Sequence, residues 1–145
     1  ELALELPLAR DGGCWREPHR ALDLANGAQL VGWRIRTLNG RLRFTSWWRI
    51  AGPLQPGRYH QFNHLRSAAD GEPLAVHDAP LSSAAWQVGD HLIAWVDFDL
   101  PAGPGPFWVD TGMYSYPDVR RVPVLGRQGD SLAPIRLGPF KVGLG

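Results

Sequence analysis

The chain has 145 residues, a formal net charge of +1 and 44% hydrophobic residues. That length suits one domain with its own core, and the near-neutral charge excludes a general pull toward nucleic acid or an anionic membrane. Cys14 is the single cysteine, which excludes an intrachain disulfide and a cysteine zinc cluster.

Fourteen of the fifteen basic residues are Arg, and Lys141 is the exception. Genome base composition, heat adaptation or a need for planar contacts each produce such a bias. No apolar run approaches the roughly 18 residues of a membrane span, and no signal-peptide pattern is visible. The chain begins at Glu1 without Met, the expectation for a processed or excised fragment. Seventeen Gly and thirteen Pro suit strands joined by turns.

Short runs alternate apolar and polar residues between turn signals, and no helical period is present. "ELALELPLA" sets Leu2, Leu4 and Leu6 against Glu1 and Glu5. "RDGGCWREPHR" reads as a loop. "AQLVGWRIRTL" and "RLRFTSWWRI" flank Asn39-Gly40, the strongest short hairpin signal. "HQFNHLRSAADGEPLAVHD" reads as a second hairpin, turning at Asp70-Gly71. "APLSSAAWQVGD" is a loop. "HLIAWVDFDL" and "PFWVDTGMYSY" are strands joined by "PAGPG", and "RRVPVLG" and "SLAPIRLGPFKVG" close the chain. The pattern predicts eight or nine strands, essentially no helix, and a two-sheet antiparallel β-sandwich, Ig-like or jelly-roll-like, with Greek-key connections. One domain spans 1–145, with a core over 20–142 and a strand and loop over 1–19.

Period two assigns the faces. Val31, Trp33 and Ile35 point inward with Leu42, Phe44, Trp48 and Ile50. A two-residue turn pairs Leu38 with Arg41, Ile35 with Phe44 and Val31 with Trp48. Arg34, Arg36, Arg41, Arg43, Trp47 and Arg49 point outward. Arg36 then faces Arg43, a like-charge pair that neighbouring carboxylates or an anionic partner would relieve. Leu92, Val96, Phe98 and Leu100 look inward; Trp95, Asp97 and Asp99 look outward. Phe107, Val109 and Met113 form one face of their strand; Trp108, Asp110, Gly112 and Tyr114 form the other.

The order of landmarks resembles a β-sandwich domain at the C-terminal end of bacterial polytopic membrane glycosyltransferases of the mannosyltransferase-like kind. The landmarks are "FTSWWR", "FNHL", an Asp-Gly turn, "DAP" at Asp78–Pro80, Trp86 to Gly89, Leu100-Pro101, then Gly105, Phe107, Gly112 and Tyr114. Arg121 to Val124 and the final "SLAPIRLG" complete the set. It covers roughly residues 20–142. Phe107 replaces the usual Tyr, and "DAP" is one residue short. The resemblance implies an extracytoplasmic domain appended to membrane machinery that handles lipid-linked sugars. It supplies no catalytic residues, since that family's chemistry sits in its membrane portion.

Three residue sets compete as sites. The first is histidine. His60 and His64 lie roughly 13 Å apart along a strand, too far to share a metal. A two-residue loop would set His64 opposite His77, a weak metal candidate that lacks a third ligand; the plainer role for His64 is a hydrogen-bonded sheet residue. The second set is the acids Asp97, Asp99 and Asp110, which offer carboxylates as glycosidases need but more simply balance the arginines. No nucleophile elbow, His-Glu-x-x-His or phosphate loop is present. The third set is the outward aromatics. Trp47, Trp95, Trp108 and Tyr114, beside Arg34, Arg36 and Arg43, suit sugar stacking and hydroxyl recognition, or a protein contact.

The expectation is a non-catalytic, extracytoplasmic accessory module of cell-surface glycan machinery that binds carbohydrate. No catalytic residue and no cofactor are assigned. Nucleic acid and membrane insertion are not expected, and oligomers are compatible. The alternative is an assembly domain that uses the same face against a sister domain, and the third reading is a metal-dependent enzyme.

Overall fold

The computed structural model describes residues 2–4, 22–68, 71–126 and 129–142. The loop around Cys14, and Asp70 of the Asp-Gly turn, lie outside the described residues. Two β-sheets pack face to face as an all-β sandwich. The four-stranded sheet holds β2 (Leu22–Asp23), β3 (Ala28–Leu38), β4 (Arg41–Ile50) and β8 (His91–Asp99), in that spatial order.

The seven-stranded sheet is centred on β9 (Phe107–Ser115), between β5 (Tyr59–Arg66) and β11 (Ile135–Phe140). Two-residue strands β6 (Ala75–Val76) and β7 (Ala79–Pro80) pair with β5, and β10 (Arg120–Arg121) pairs with β9. β1 (Leu2–Leu4) pairs parallel with β11, so the start of "ELALELPLA" belongs to this domain; the other pairings are antiparallel. The only helical turn among the described residues is a 3-10 turn at Ser83–Ala85.

β4 and β8 pair in one sheet, while β5 and β9 pair in the other. The chain crosses between layers after β4 and again after β8. It thus returns beside a strand formed earlier, the Greek-key kind of connection.

The first hairpin forms as its sequence dictates. Asn39 and Gly40 both take positive φ, 52° and 73°, the conformation of a two-residue primed turn whose twist matches its strands. Leu38 faces Arg41, Ile35 faces Phe44 and Arg36 faces Arg43. One expected residue is displaced: a bulge at Val31 shifts the register, so Leu30, not Val31, faces Trp48. An extra residue in one strand inverts the alternation beyond it. Ala28 and Leu30 therefore point inward with Trp33 and Ile35, and Val31 is half-buried. Leu100 is also corrected: it follows the end of β8 and is exposed.

Trp33, Phe44, Trp48 and Phe98 are fully buried between the sheets, with Leu65, Val109, Met113, Ile135 and Leu137 opposite them. Each large side chain so buried contributes about 1.5–3 kcal/mol of transfer free energy. A polar cluster interrupts this core. Gln61 Nε2 lies within 2.9 Å of Ser46 Oγ and 3.1 Å of both Asn63 Oδ1 and Thr111 Oγ1. Asn63 Nδ2 donates to the His77 carbonyl at 3.1 Å, and Trp48 Nε1 donates to Ser46 Oγ at 3.0 Å. Such bonds tie both layers at one lateral position and specify their alignment.

Candidate binding face

The outer surface of the four-stranded sheet carries the outward residues of β3, β4 and β8. Antiparallel pairing sets Arg41 against Asp99, Arg43 against Asp97, Thr45 against Trp95 and Trp47 against Ile93. Two arginines of β4 thus face two aspartates of β8. Arg43 donates from Nε to Asp97 Oδ1 at 2.8 Å and from Nη2 to Asp97 Oδ2 at 3.0 Å. Arg41 Nη2 lies 3.5 Å from Asp99 Oδ1 and is more exposed. These neighbouring carboxylates relieve the Arg36–Arg43 repulsion. Hydrogen bonding from Arg43 holds the Asp97 carboxyl below its ordinary range.

Trp95 is 54% exposed, and the Arg43 guanidinium stands 3.9 Å from its ring centroid. A planar cation at this distance is attracted to the indole face. Trp47 is half-buried, and its Nε1 donates to His91 Nδ1 at 2.9 Å. Arg34 and Arg36 lie on β3 opposite Thr45 and Arg43, both half-buried. Arg36 forms no ion pair among the described residues, and its Nε is buried without an acceptor. The face thus presents an exposed indole, a fixed guanidinium and a cation whose charge is not neutralised.

Trp108 and Tyr114 do not join this group. They sit on β9, whose outer residues face away from the sandwich on the opposite side. Tyr114 donates to Asp78 Oδ2 at 2.8 Å and lies 3.4 Å from His60 Nδ1. Burial and the Asp78 carboxylate push its phenol up to about 12. His60 in turn stacks on Tyr116, with ring centroids 4.3 Å apart.

On the same face Asp110 is 1% exposed and lies between two arginines. Arg136 binds it through Nε to Oδ1 at 2.9 Å and Nη2 to Oδ2 at 3.0 Å. Arg66 Nε approaches Oδ2 at 2.8 Å, off the line of its N–H. Asp97 and Asp110 therefore occupy opposite outer surfaces and do not form a carboxylate pair.

The His64–His77 pairing is corrected. His64 faces Val76, and the His77 N–H bonds to the Asn63 carbonyl. Leu65 pairs with Ala75, so an odd number of residues, 66–74, separates the paired positions; this shifts the register by one and moves the two rings to opposite faces. The His77 ring meets Phe98 edge-on, 5.4 Å away, while the His64 ring lies beside Phe62. Burial lowers the His64 pKa from its ordinary value. Among the described residues no three His, Cys, Asp or Glu side chains are grouped to hold a metal.

Sequence reading missed the Asp78–Tyr114–His60 cluster and the Arg66–Asp110–Arg136 triad. Outward parity of Arg66, Asp110 and Arg136 was available as a signal; the adjacency of β5, β9 and β11 was not. No family model, curated protein or solved structure matches the chain.

Proposed function

We propose that this chain is a non-catalytic module that binds glycan on the outer face of its four-stranded sheet, outside the cytoplasm and in the service of cell-surface glycan machinery. The observation that carries this reading is Trp95, exposed and topped by an Arg43 that Asp97 holds in place. Sugar rings offer C–H faces to an indole and hydroxyls to fixed donors. Arg36 and Arg43 on adjacent strands supply such donors, and the charge of Arg36 favours sugars that carry carboxylate or phosphate. Trp47 and Arg34 complete the face. The extracytoplasmic placement and the link to glycan machinery are supported by the family resemblance of the landmark set.

A glycan array followed by calorimetry tests the reading. Trp95→Ala is expected to abolish binding, whereas Trp108→Ala, on the far side of the sandwich, leaves it unchanged. Binding that is indifferent to Trp95→Ala, or no binding to any glycan, overturns the proposal. The rival, a contact surface for a sister domain, draws on the same exposed indole, since exposed aromatics mark protein interfaces too. It predicts that Trp95 becomes shielded in a complex and that no glycan competes.

A further inference from the structure

We infer that two copies of this chain pair through β8, antiparallel and strand to strand, joining their four-stranded sheets into one of eight. The pairing is made by backbone groups of the sheet edge, its side-chain pairs border the glycan face, and it does not rest on the glycan reading.

Backbone direction shows which groups are available. The Asn39-Gly40 turn makes Leu38 and Arg41 a hydrogen-bonded pair, so Arg41, Arg43 and Thr45 bond toward β3. The even-numbered residues of β4 bond toward β8. At that end the Gly89 N–H reaches the Ile50 carbonyl at 2.7 Å, and the Ile50 N–H reaches the Asp90 carbonyl at 2.8 Å. Their partners on β8 are Leu92, Ala94, Val96 and Phe98. The backbone groups of His91, Ile93, Trp95, Asp97 and Asp99 consequently point off the sheet. Among the described residues no backbone hydrogen bond reaches them. Arg41 Nη2 approaches the Asp97 carbonyl at 3.3 Å, which leaves that oxygen a second lone pair.

β8 differs from the other edges. β2, β6 and β7 are two residues long and β1 is three, short enough to deter pairing. β8 runs nine residues with an unbroken register against β4. It also exposes Ile93 by 60% beside Trp95. A long, regular edge with exposed apolar residues is a template for another strand.

Only one register sets apolar against apolar and a base against an acid at once. A twofold axis at Ala94 sets Ile93 against the partner's Trp95 and His91 against the partner's Asp97, each twice. Apolar then meets apolar, and a base meets an acid. A twofold axis at Val96 would set Trp95 against the partner's Asp97, and one at Asp97 would oppose two carboxylates. An axis at Trp95 would leave Ile93 on an acid. The pairing is isologous and closed, so it ends at a dimer. It places two Trp95 surfaces side by side on one continuous sheet.

Sedimentation across a concentration series tests the inference without any glycan. A reversible species of twice the 16.1 kDa of one chain is expected at micromolar to submillimolar concentration. Ile93→Pro removes a donor that serves only the free edge, so it should yield a folded monomer; Ile93→Lys serves if the proline variant fails to fold. In a Cys14→Ser background, Ala94→Cys should form a disulfide-linked dimer under mild oxidation, because only the Ala94-centred register brings these residues together. A monomer at every concentration, a dimer that survives Ile93→Lys, or a dimer in which Ala94→Cys does not crosslink overturns the proposal. Each outcome is separable from the Trp95-dependent glycan readout.

Discussion

Arg43 and Asp97 face each other across β4 and β8 and share two parallel hydrogen bonds, at 2.8 and 3.0 Å. The pair relieves the repulsion from Arg36 and fixes the guanidinium over Trp95. One side-chain contact therefore links local stability to the surface proposed to bind.

Asp97 makes stability depend on acid pH. Its folded pKa lies below its unfolded one, held there first by the Arg43 hydrogen bond. Its contribution is full above the unfolded value and is lost as pH falls through the folded one. Melts between about pH 5 and pH 2 should show a shallower decline for Asp97→Asn than for the native chain. The difference is small because the pair is partly solvated. Identical slopes would count against this role.

Asp110 should matter far more. Its carboxylate is buried between Arg136 and Arg66, whose side chains are 11% and 17% exposed. Asp110→Ala strands two partly buried cations and is expected to cost about 3–5 kcal/mol. Asp99→Ala, at an exposed pair, should stay within about 0.5 kcal/mol. Urea unfolding of both variants measures the contrast, and similar losses would contradict it.

A Cβ on Gly112 would lie 2.7 Å from the Phe62 ring. Phe62 faces Gly112 across β5 and β9 and covers it, while Arg121 stands 4.5 Å over the same ring. Gly112→Ala should therefore destabilise by about 1–3 kcal/mol through overpacking. Phe62→Leu, which vacates ring volume, should recover part of that loss in the double variant. A strictly additive double variant would show that the two do not compete for space.

His64 supplies the near-neutral pH dependence. Burial is the main cause of its lowered pKa, with Arg121 and Arg66 lowering it further against the pull of Asp78 and Asp110. The unfolded chain binds its proton first, near 6.5, so stability falls as pH drops below that value and levels off below the folded pKa. In an NMR titration the His64 ring should protonate below 6.5. His64→Gln should flatten the stability curve below about pH 6.5. A ring that titrates at or above its ordinary value would refute the assignment.

Much of this was legible in the chain because strand and turn signals are local. Asn39-Gly40 specified its hairpin and the pairings of Ile35 with Phe44 and Arg36 with Arg43. The bulge at Val31 was not legible, since alternation carries no mark of one extra residue. The second hairpin misled for a related reason. Asp-Gly suggested a two-residue turn, but an odd number of residues separates the paired Leu65 and Ala75, and parity decides which face each histidine takes. Outward tryptophans could be identified one strand at a time. Their division between two opposite surfaces could not, because outward has no common direction until strands are assigned to sheets.

An all-β chain, its main hairpin and most of its core follow from residue order alone, since period two and turn residues act within a few positions. Which strands became neighbours was set by the packing of the two sheets. It brought Asp97 to Arg43 and Asp110 to Arg66 and Arg136, and it separated Trp95 from Trp108 by the thickness of a sandwich. Those outcomes depend on crossings between layers, where residues far apart in the chain meet because burying both apolar faces requires it.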